Sequence, residues 1–255
     1  MAEWVLIIAG GAAAGVFGSL LGLGGGILIV PLLTLGFGLD LREAVGVSLV
    51  SVIMTSSAAA GVYLERHVAD LRLGMRLELF TAIGALVGGT IAFLLDERFL
   101  SMLFAVLLVY VAVSMGRSRT SETEAAGSDG RSYEVRNLPL GMVGATGAGV
   151  ASALLGIGGG IVKVPLMHLA MGVPMRVATA TSNLMVGITA AAGATIYLAR
   201  GEIDPYVAGP TAIGVFVGAS IGSRLAHRVD LRILRWLFVV VLLYTAVQML
   251  LRATA

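Results

Sequence analysis

Two stretches of the chain combine groups able to hold an anion with a backbone that cannot stay helical. Gly22-Leu23-Gly24-Gly25-Gly26 runs into Ile27-Leu28-Ile29-Val30-Pro31-Leu32, and Gly156-Ile157-Gly158-Gly159-Gly160 runs into Ile161-Val162-Lys163-Val164-Pro165-Leu166, at an offset of 134 positions. Each interrupts a long apolar run. Unwound backbone at membrane depth is tolerated only where protein or an aqueous cavity satisfies its N–H and C=O groups. A helix restarting after Gly26 or Gly160 would aim unpaired N–H groups and a positive dipole end at the break, which suits an anion. Matched breaks in two halves of a chain mark the central binding site of a transporter. Close helix packing is the plain alternative, but a triple glycine, duplicated and each time leading to Val-Pro-Leu, exceeds what packing asks.

Lys163 is the only lysine, and it stands where the first copy has Ile29. A charge at membrane depth is costly, so it is expected to face a cavity and bind the substrate rather than to snorkel to an interface. Further donors follow on the next helix of each copy: Ser48 and Ser51 in the first, Thr179, Thr181, Ser182 and Asn183 in the second, with Ser48 and Ser182 in register. They could hydrogen-bond anion oxygens, tie helices together, or bond back to their own helix. The expected substrate-binding set is Gly24, Gly25, Gly26, Gly158, Gly159, Gly160, Lys163, Ser48, Ser182 and Asn183, with Pro31 and Pro165 as structural hinges. Glu78 falls in an apolar run near Arg76; it could pair or carry a proton, and it reads as interfacial. His168 and Gln248 carry no assignment, and His67 and His227 read as loop residues. No HExxH or Walker A pattern occurs, so neither catalysis, a metal nor a cofactor is expected.

The elements that must position these groups follow from hydropathy. With 58% hydrophobic and 13% charged residues and a mean hydropathy of +0.97, the chain reads as an all-α polytopic membrane protein. The short alternating segments of a β-barrel are missing. No basic residue precedes the first apolar run, Trp4–Leu21, so it reads as a retained helix rather than a signal peptide. The absence of cysteine removes disulfides from consideration. After the first run comes the glycine break, a short limb at Ile27–Phe37, and helices near Arg42–Leu64, Gly74–Leu95 and Phe99–Met115. The second series reads Leu140–Leu155, break, Ile161–Met171, then Arg176–Leu198, Tyr206–His227 and Leu231–Leu251. Residues 10–116 slide onto 144–250 without a gap, matching Tyr63 with Tyr197, Asp70 with Asp204 and Asp96 with Asp230. The chain thus divides into a first transmembrane repeat (1–116), a polar linker (117–137) and a second repeat (138–255), each repeat a glycine-broken helical hairpin plus three transmembrane helices.

The excess of arginine lies in loops, which bears on topology rather than on nucleic acid. If each broken hairpin returns the chain to the side it entered, the repeats are inverted. Only Arg42, Arg98, Arg200 and Arg252 then lie opposite all the other arginines. The positive-inside rule favours that arrangement, with the linker in the cytoplasm and both termini outside.

The duplicated G-x-G-G-G-x-x-x-V-P-L signature, the half-chain repeat and the length resemble the TauE/SafE family of membrane transporters, also described as sulfite exporters or sulfonate permeases. The resemblance covers essentially the whole chain. It implies secondary transport of small sulfur oxyanions or organosulfonates, such as sulfite, thiosulfate or sulfoacetate, across a prokaryotic cytoplasmic membrane. The family pattern falls on Gly24, Gly25, Gly26, Pro31, Gly158, Gly159, Gly160, Lys163 and Pro165. Expected partners are the anion, the lipid bilayer, H+ or Na+ as coupling ion, and a second copy in a homodimer. A passive anion channel and a non-transporting membrane subunit are the competing readings.

Overall fold

The computed structural model describes residues 2–21, 24–65, 69–117, 133–225 and 231–254. These form ten α-helices in the order α1 (Ala2–Leu21), α2 (Gly26–Pro31), α3 (Leu41–Glu65), α4 (Leu71–Ala92), α5 (Glu97–Arg117), α6 (Leu138–Leu155), α7 (Gly160–Pro165), α8 (Met175–Ala199), α9 (Pro205–Leu225) and α10 (Leu231–Thr254). Among the described residues eight helices are long and apolar enough to cross a membrane, and the apolar stretches Gly26–Gly36 and Gly160–Ala170 are too short.

Those two stretches are the returning limbs of hairpins. Gly18 packs directly on Gly25 and Gly10 on Leu32, so α2 runs back along α1. In the same way Gly159 lies beside Ser152, Leu166 beside Gly144 and Met171 beside Gly141, so α7 runs back along α6. The reversals are made at Gly24, Gly25, Gly158 and Gly159, with φ of 75°, 75°, 75° and 78°. In that left-handed region a Cβ meets the following carbonyl, and glycine alone enters at no cost. Pro31 and Pro165 each close the short α-helix, and each is followed by a five-residue π-helical turn, Leu32–Gly36 and Leu166–Ala170. Proline withholds an N–H from the ladder, and the wider π turn is one way the backbone accommodates the loss. Thr34 takes up part of the slack by donating to the Val30 carbonyl at 2.9 Å.

Glycine also sets how the long helices associate. α1 packs parallel to α9: Gly214 lies on the backbone of Ile8, Gly218 on that of Ala12 and Gly222 on that of Val16. α4 packs parallel to α6, with Gly84 on Thr146 and Gly88 on Val150. Water drives no association in lipid, so this close backbone approach supplies the contact. At the centre α3 and α8 cross in opposite directions, Gly193 meeting Leu49 at one end and Gly187 meeting Ser56 at the other. α5 and α10 pack against each other on the flank. One end of the bundle is tied by Arg42 Nη2 donating to the Leu95 carbonyl at 2.7 Å, while Arg42 and Arg200 both lie over the Phe93 ring.

Candidate functional site

The two glycine breaks meet where α3 crosses α8. Each of these helices has 25 residues, and the contact falls near their midpoints, at Val52 and Val186. A Cβ placed on Gly24 would stand 3.5 Å from Val186 Cγ1 and 3.9 Å from Val52 Cγ1. On Gly158 it would stand 2.5 Å and 2.7 Å from the same two atoms. Both breaks therefore close on one pair of valines. Gly26 lies directly on the Gly156 carbonyl, and the buried Ser48 hydroxyl donates to that carbonyl at 2.7 Å, with the Gly26 carbonyl at 3.1 Å. In the first break the hydroxyl is spent on holding the breaks together.

The second break differs. Ser182 lies beside Gly160 and Ser152 beside Gly159. Both side chains are buried, 1% and 0% exposed, yet neither hydroxyl has a hydrogen-bond partner. A buried hydroxyl without a partner is costly and marks a place where a ligand oxygen would be welcome. Lys163 passes the same point, its Cε 3.6 Å from where a Gly159 Cβ would be.

The Lys163 ammonium does not end in the break. It donates to Glu78 Oε2 at 3.0 Å and to Thr189 Oγ1 at 2.6 Å, and the Thr189 hydroxyl donates to Glu78 Oε1 at 2.6 Å. Lys163 is 2% exposed and Glu78 is 4% exposed. Glu78 is thus not interfacial, as its sequence position suggests; it is buried and paired, with Lys163. α4 turns it inward, and it neutralises the one lysine across the junction of α4, α7 and α8. Each ion carries a hydrogen-bonded partner, the condition under which burial of charge is tolerated.

Other polar residues fall out unevenly. Asn183 contributes its main-chain carbonyl, which accepts from Ser56 Oγ at 2.6 Å; the same Ser56 oxygen accepts the Gly187 N–H at 3.1 Å. Ser51 bonds back to the Val47 carbonyl. Thr181 accepts the Asp70 N–H at 2.9 Å, and Asp70 caps α4 through Leu73 N and accepts from Tyr133 at 2.6 Å. Burial, then the hydrogen bond to Asp70 and its charge, push the Tyr133 phenol well above the usual tyrosine range. Thr179 and Gly160 line a cavity of about 170 Å³ together with Tyr110 and Ser114. His168 Nδ1 lies 2.9 Å from the Val173 carbonyl. His67, His227 and positions 118–132 of the linker lie outside the described residues. Sequence reasoning did not single out Val52, Val186, Ser152, Ser56 or Thr189.

The sequence profile described as sulfite exporter TauE/SafE matches residues 7–249. A probable membrane transporter protein of Bacillus subtilis, YunE, is 25% identical over 269 residues, covering 97% of each chain. One from Xylella fastidiosa is 30% identical over 230 residues, covering 88% of this chain and 85% of its own. A third, from Methanocaldococcus jannaschii, is 29% identical over 243 residues, covering 89% and 86%. No solved structure matches the chain at a significant level. A profile that spans nearly every helix described above, breaks included, leaves no part of the bundle to another ancestry: this multi-pass membrane protein belongs to the TauE/SafE sulfite exporter family.

Proposed function

We propose that the chain is a secondary transporter of small sulfur-containing anions, sulfite, thiosulfate or an organosulfonate such as sulfoacetate, working by alternating access. The observation that carries this reading is the meeting of both glycine breaks on Val52 and Val186, with two unpartnered buried hydroxyls at the second break. Ser152, Ser182 and the stem of Lys163 lie beside the Gly158-Gly159-Gly160 backbone on that side, with the ammonium just beyond on Glu78 and Thr189. An oxyanion there would accept from hydroxyls and ammonium together, and charge-assisted bonds of that kind are the strong ones.

The same geometry supports a moving part. Val52 and Val186 fill the space between the breaks, so passage requires α3 and α8 to shift against the hairpins that carry the glycines. The antiparallel crossing of α3 and α8 supports inverted halves, which exchange inward-open and outward-open forms by swapping conformations. The broken hairpins, each packed on a long helix of the other half, are the natural moving units.

Thermal-shift measurements on the purified protein with sulfite, thiosulfate, sulfate, sulfoacetate and taurine test binding, because a ligand of the folded state raises the unfolding temperature by mass action. Counterflow in proteoliposomes then tests transport: labelled anion should enter against excess unlabelled anion inside and saturate with concentration. Flux without counterflow would make the protein a passive channel. No shift with any anion and no flux would make it a non-transporting subunit.

A further inference from the structure

We infer that Glu78 is the proton-binding group that couples anion transport to protons, acting by releasing Lys163. The inference rests on the anion reading above and names how that site is switched. In the structure the lysine is already neutralised, bonded to Glu78 Oε2 at 3.0 Å. An anion arriving at the second break would bring a second negative charge to a single buried ammonium. Both anions cannot be satisfied at once, because at membrane depth the uncompensated charge lacks the water that would screen it. The site accepts an anion only if Glu78 loses its charge.

The surrounding groups permit that step. A proton on Glu78 converts the carboxylate into a donor toward Thr189 Oγ1, now 2.6 Å from Oε1. Thr189 can turn its own hydrogen to the Met185 carbonyl at 3.4 Å. The ammonium keeps one bond to Thr189 and swings its remaining hydrogens toward Gly159, beside which its Cε lies, 3.6 Å from where a Cβ would be. One proton is taken up as one anion binds. It leaves when the anion leaves and the ion pair re-forms, so the charges balance in each half of the cycle for a monoanion, while a dianion such as thiosulfate carries one net negative charge across.

Glu78 also lines a mainly apolar cleft of about 360 Å³ between α4 and α8, with Asp70 and Thr181 toward one end and Leu79 and Ile188 on the exposed flank. Asp70, at the start of α4, lies about 12 Å along the helix from Glu78 at 1.5 Å per residue. Other titratable groups on the packed elements are Asp70, Arg72 and Arg76 on α4, His168 after α7, and Arg176 and Tyr197 on α8. Tyr133 reaches Asp70, and α6 carries none. Among the described residues only Lys163 and Thr189 bond the Glu78 carboxylate.

The halves of this chain differ here by design of sequence. Thr189 corresponds to Thr55, but Lys163 corresponds to Ile29 and Glu78 to Ala212. The charged pair occurs once, at the break whose hydroxyls are unpartnered.

The test uses proteoliposomes with the membrane potential clamped at zero and a pH gradient imposed, and thiosulfate and methanesulfonate as probes. Both are fully ionised near neutrality, so protonation of the substrate cannot imitate coupling. Wild-type protein should accumulate the transported probe on the side of higher pH by up to about tenfold per pH unit, the ratio a one-to-one coupling reaches. Glu78→Gln should abolish that accumulation and make counterflow, whatever its rate, independent of pH. Glu78→Asp should keep coupling but move the pH midpoint of transport, and it serves where the glutamine variant fails to fold. Counterflow without accumulation in the wild type, an accumulating E78Q variant, or an unmoved midpoint in E78D would each overturn the inference while leaving the anion reading intact. Absence of counterflow with both probes and with sulfite would sink that reading and the coupling with it.

Discussion

Lys163 and Glu78 show how a residue can be conspicuous in sequence and its partner nearly invisible. Removing one member of a buried pair strands the other, which costs about 3–5 kcal/mol, whereas replacing both by neutral groups of similar volume is often tolerated. Lys163→Met alone should therefore lower the unfolding temperature sharply, because Glu78 keeps only Thr189. The double variant Lys163→Met/Glu78→Gln should recover most of that loss. Unfolding in detergent, measured as a double-mutant cycle, checks this, and additive losses would mean the pair is not coupled. A simple lysine truncation assayed only for transport would confuse this instability with lost substrate contact. The lysine was legible because it is a lone ammonium within an apolar limb. Glu78 stood out as able to pair or carry a proton, but its burial against the lysine was not legible, because an apolar run that is hydrophobic all round does not reveal which face turns inward. The signal that could have found it is charge complementarity: a buried cation needs a counter-ion, and Glu78 is the carboxylate set inside an apolar run. Ser182 was singled out by its register with Ser48, but Ser152 has no comparable signature, since serine in a membrane helix commonly bonds back to its own carbonyls, as Ser51 does.

At the scale of elements the sequence was more forthcoming. The limits of the long helices and both short limbs follow from hydropathy and from the glycine triplets, because lipid imposes length and only glycine enters the φ of 75° found at Gly24 and Gly158. The π turns were not legible; they arise from how a proline inside the short limb is accommodated, which composition does not encode. Nor was it legible which helix each glycine face would meet. α9 offers a test within one helix. A Cβ on Gly218 would run into the Ala12 backbone, whereas one on Gly209 meets nothing within 4 Å. Gly218→Ala should thus force α1 and α9 apart and cost about 1–3 kcal/mol, the range for overpacking. Gly209→Ala should be neutral or stabilise by about 0.5–1 kcal/mol through helix propensity. Thermal unfolding of the two variants beside the wild type reads the difference, and equal effects would remove close packing as the reason for glycine in this face.

The directions of the helices bear on how the whole molecule sits in the bilayer. α3 and α8 occupy corresponding places in the two series and cross antiparallel, while α1 runs parallel to α9 and α4 parallel to α6. Followed through, these directions bring the start of α4, the start of α8 and the end of α9 to one end of the bundle. That end carries Arg72, Arg76, Arg176 and Arg224. Arg42 and Arg252 lie at the other, bonded to the Leu95 and Thr34 carbonyls. The sequence offered the arginine asymmetry but no helix directions, so parity rested on whether each broken limb turned back. We read the arginine-rich end as cytoplasmic by the positive-inside rule. The chain has no cysteine, so single cysteines can be added without background. Leu94, 79% exposed after the end of α4, and Arg224, exposed at the end of α9, lie at the ends of two helices that the 134-residue offset of the sequence places in register. Inverted halves place them on opposite sides of the membrane, and parallel halves place them on the same side. Leu94→Cys should react with a membrane-impermeant maleimide in intact cells, and Arg224→Cys only after the membrane is breached. Labelling of both from outside would rule out inversion, and with it the exchange of conformations between halves on which the proposed alternating access depends.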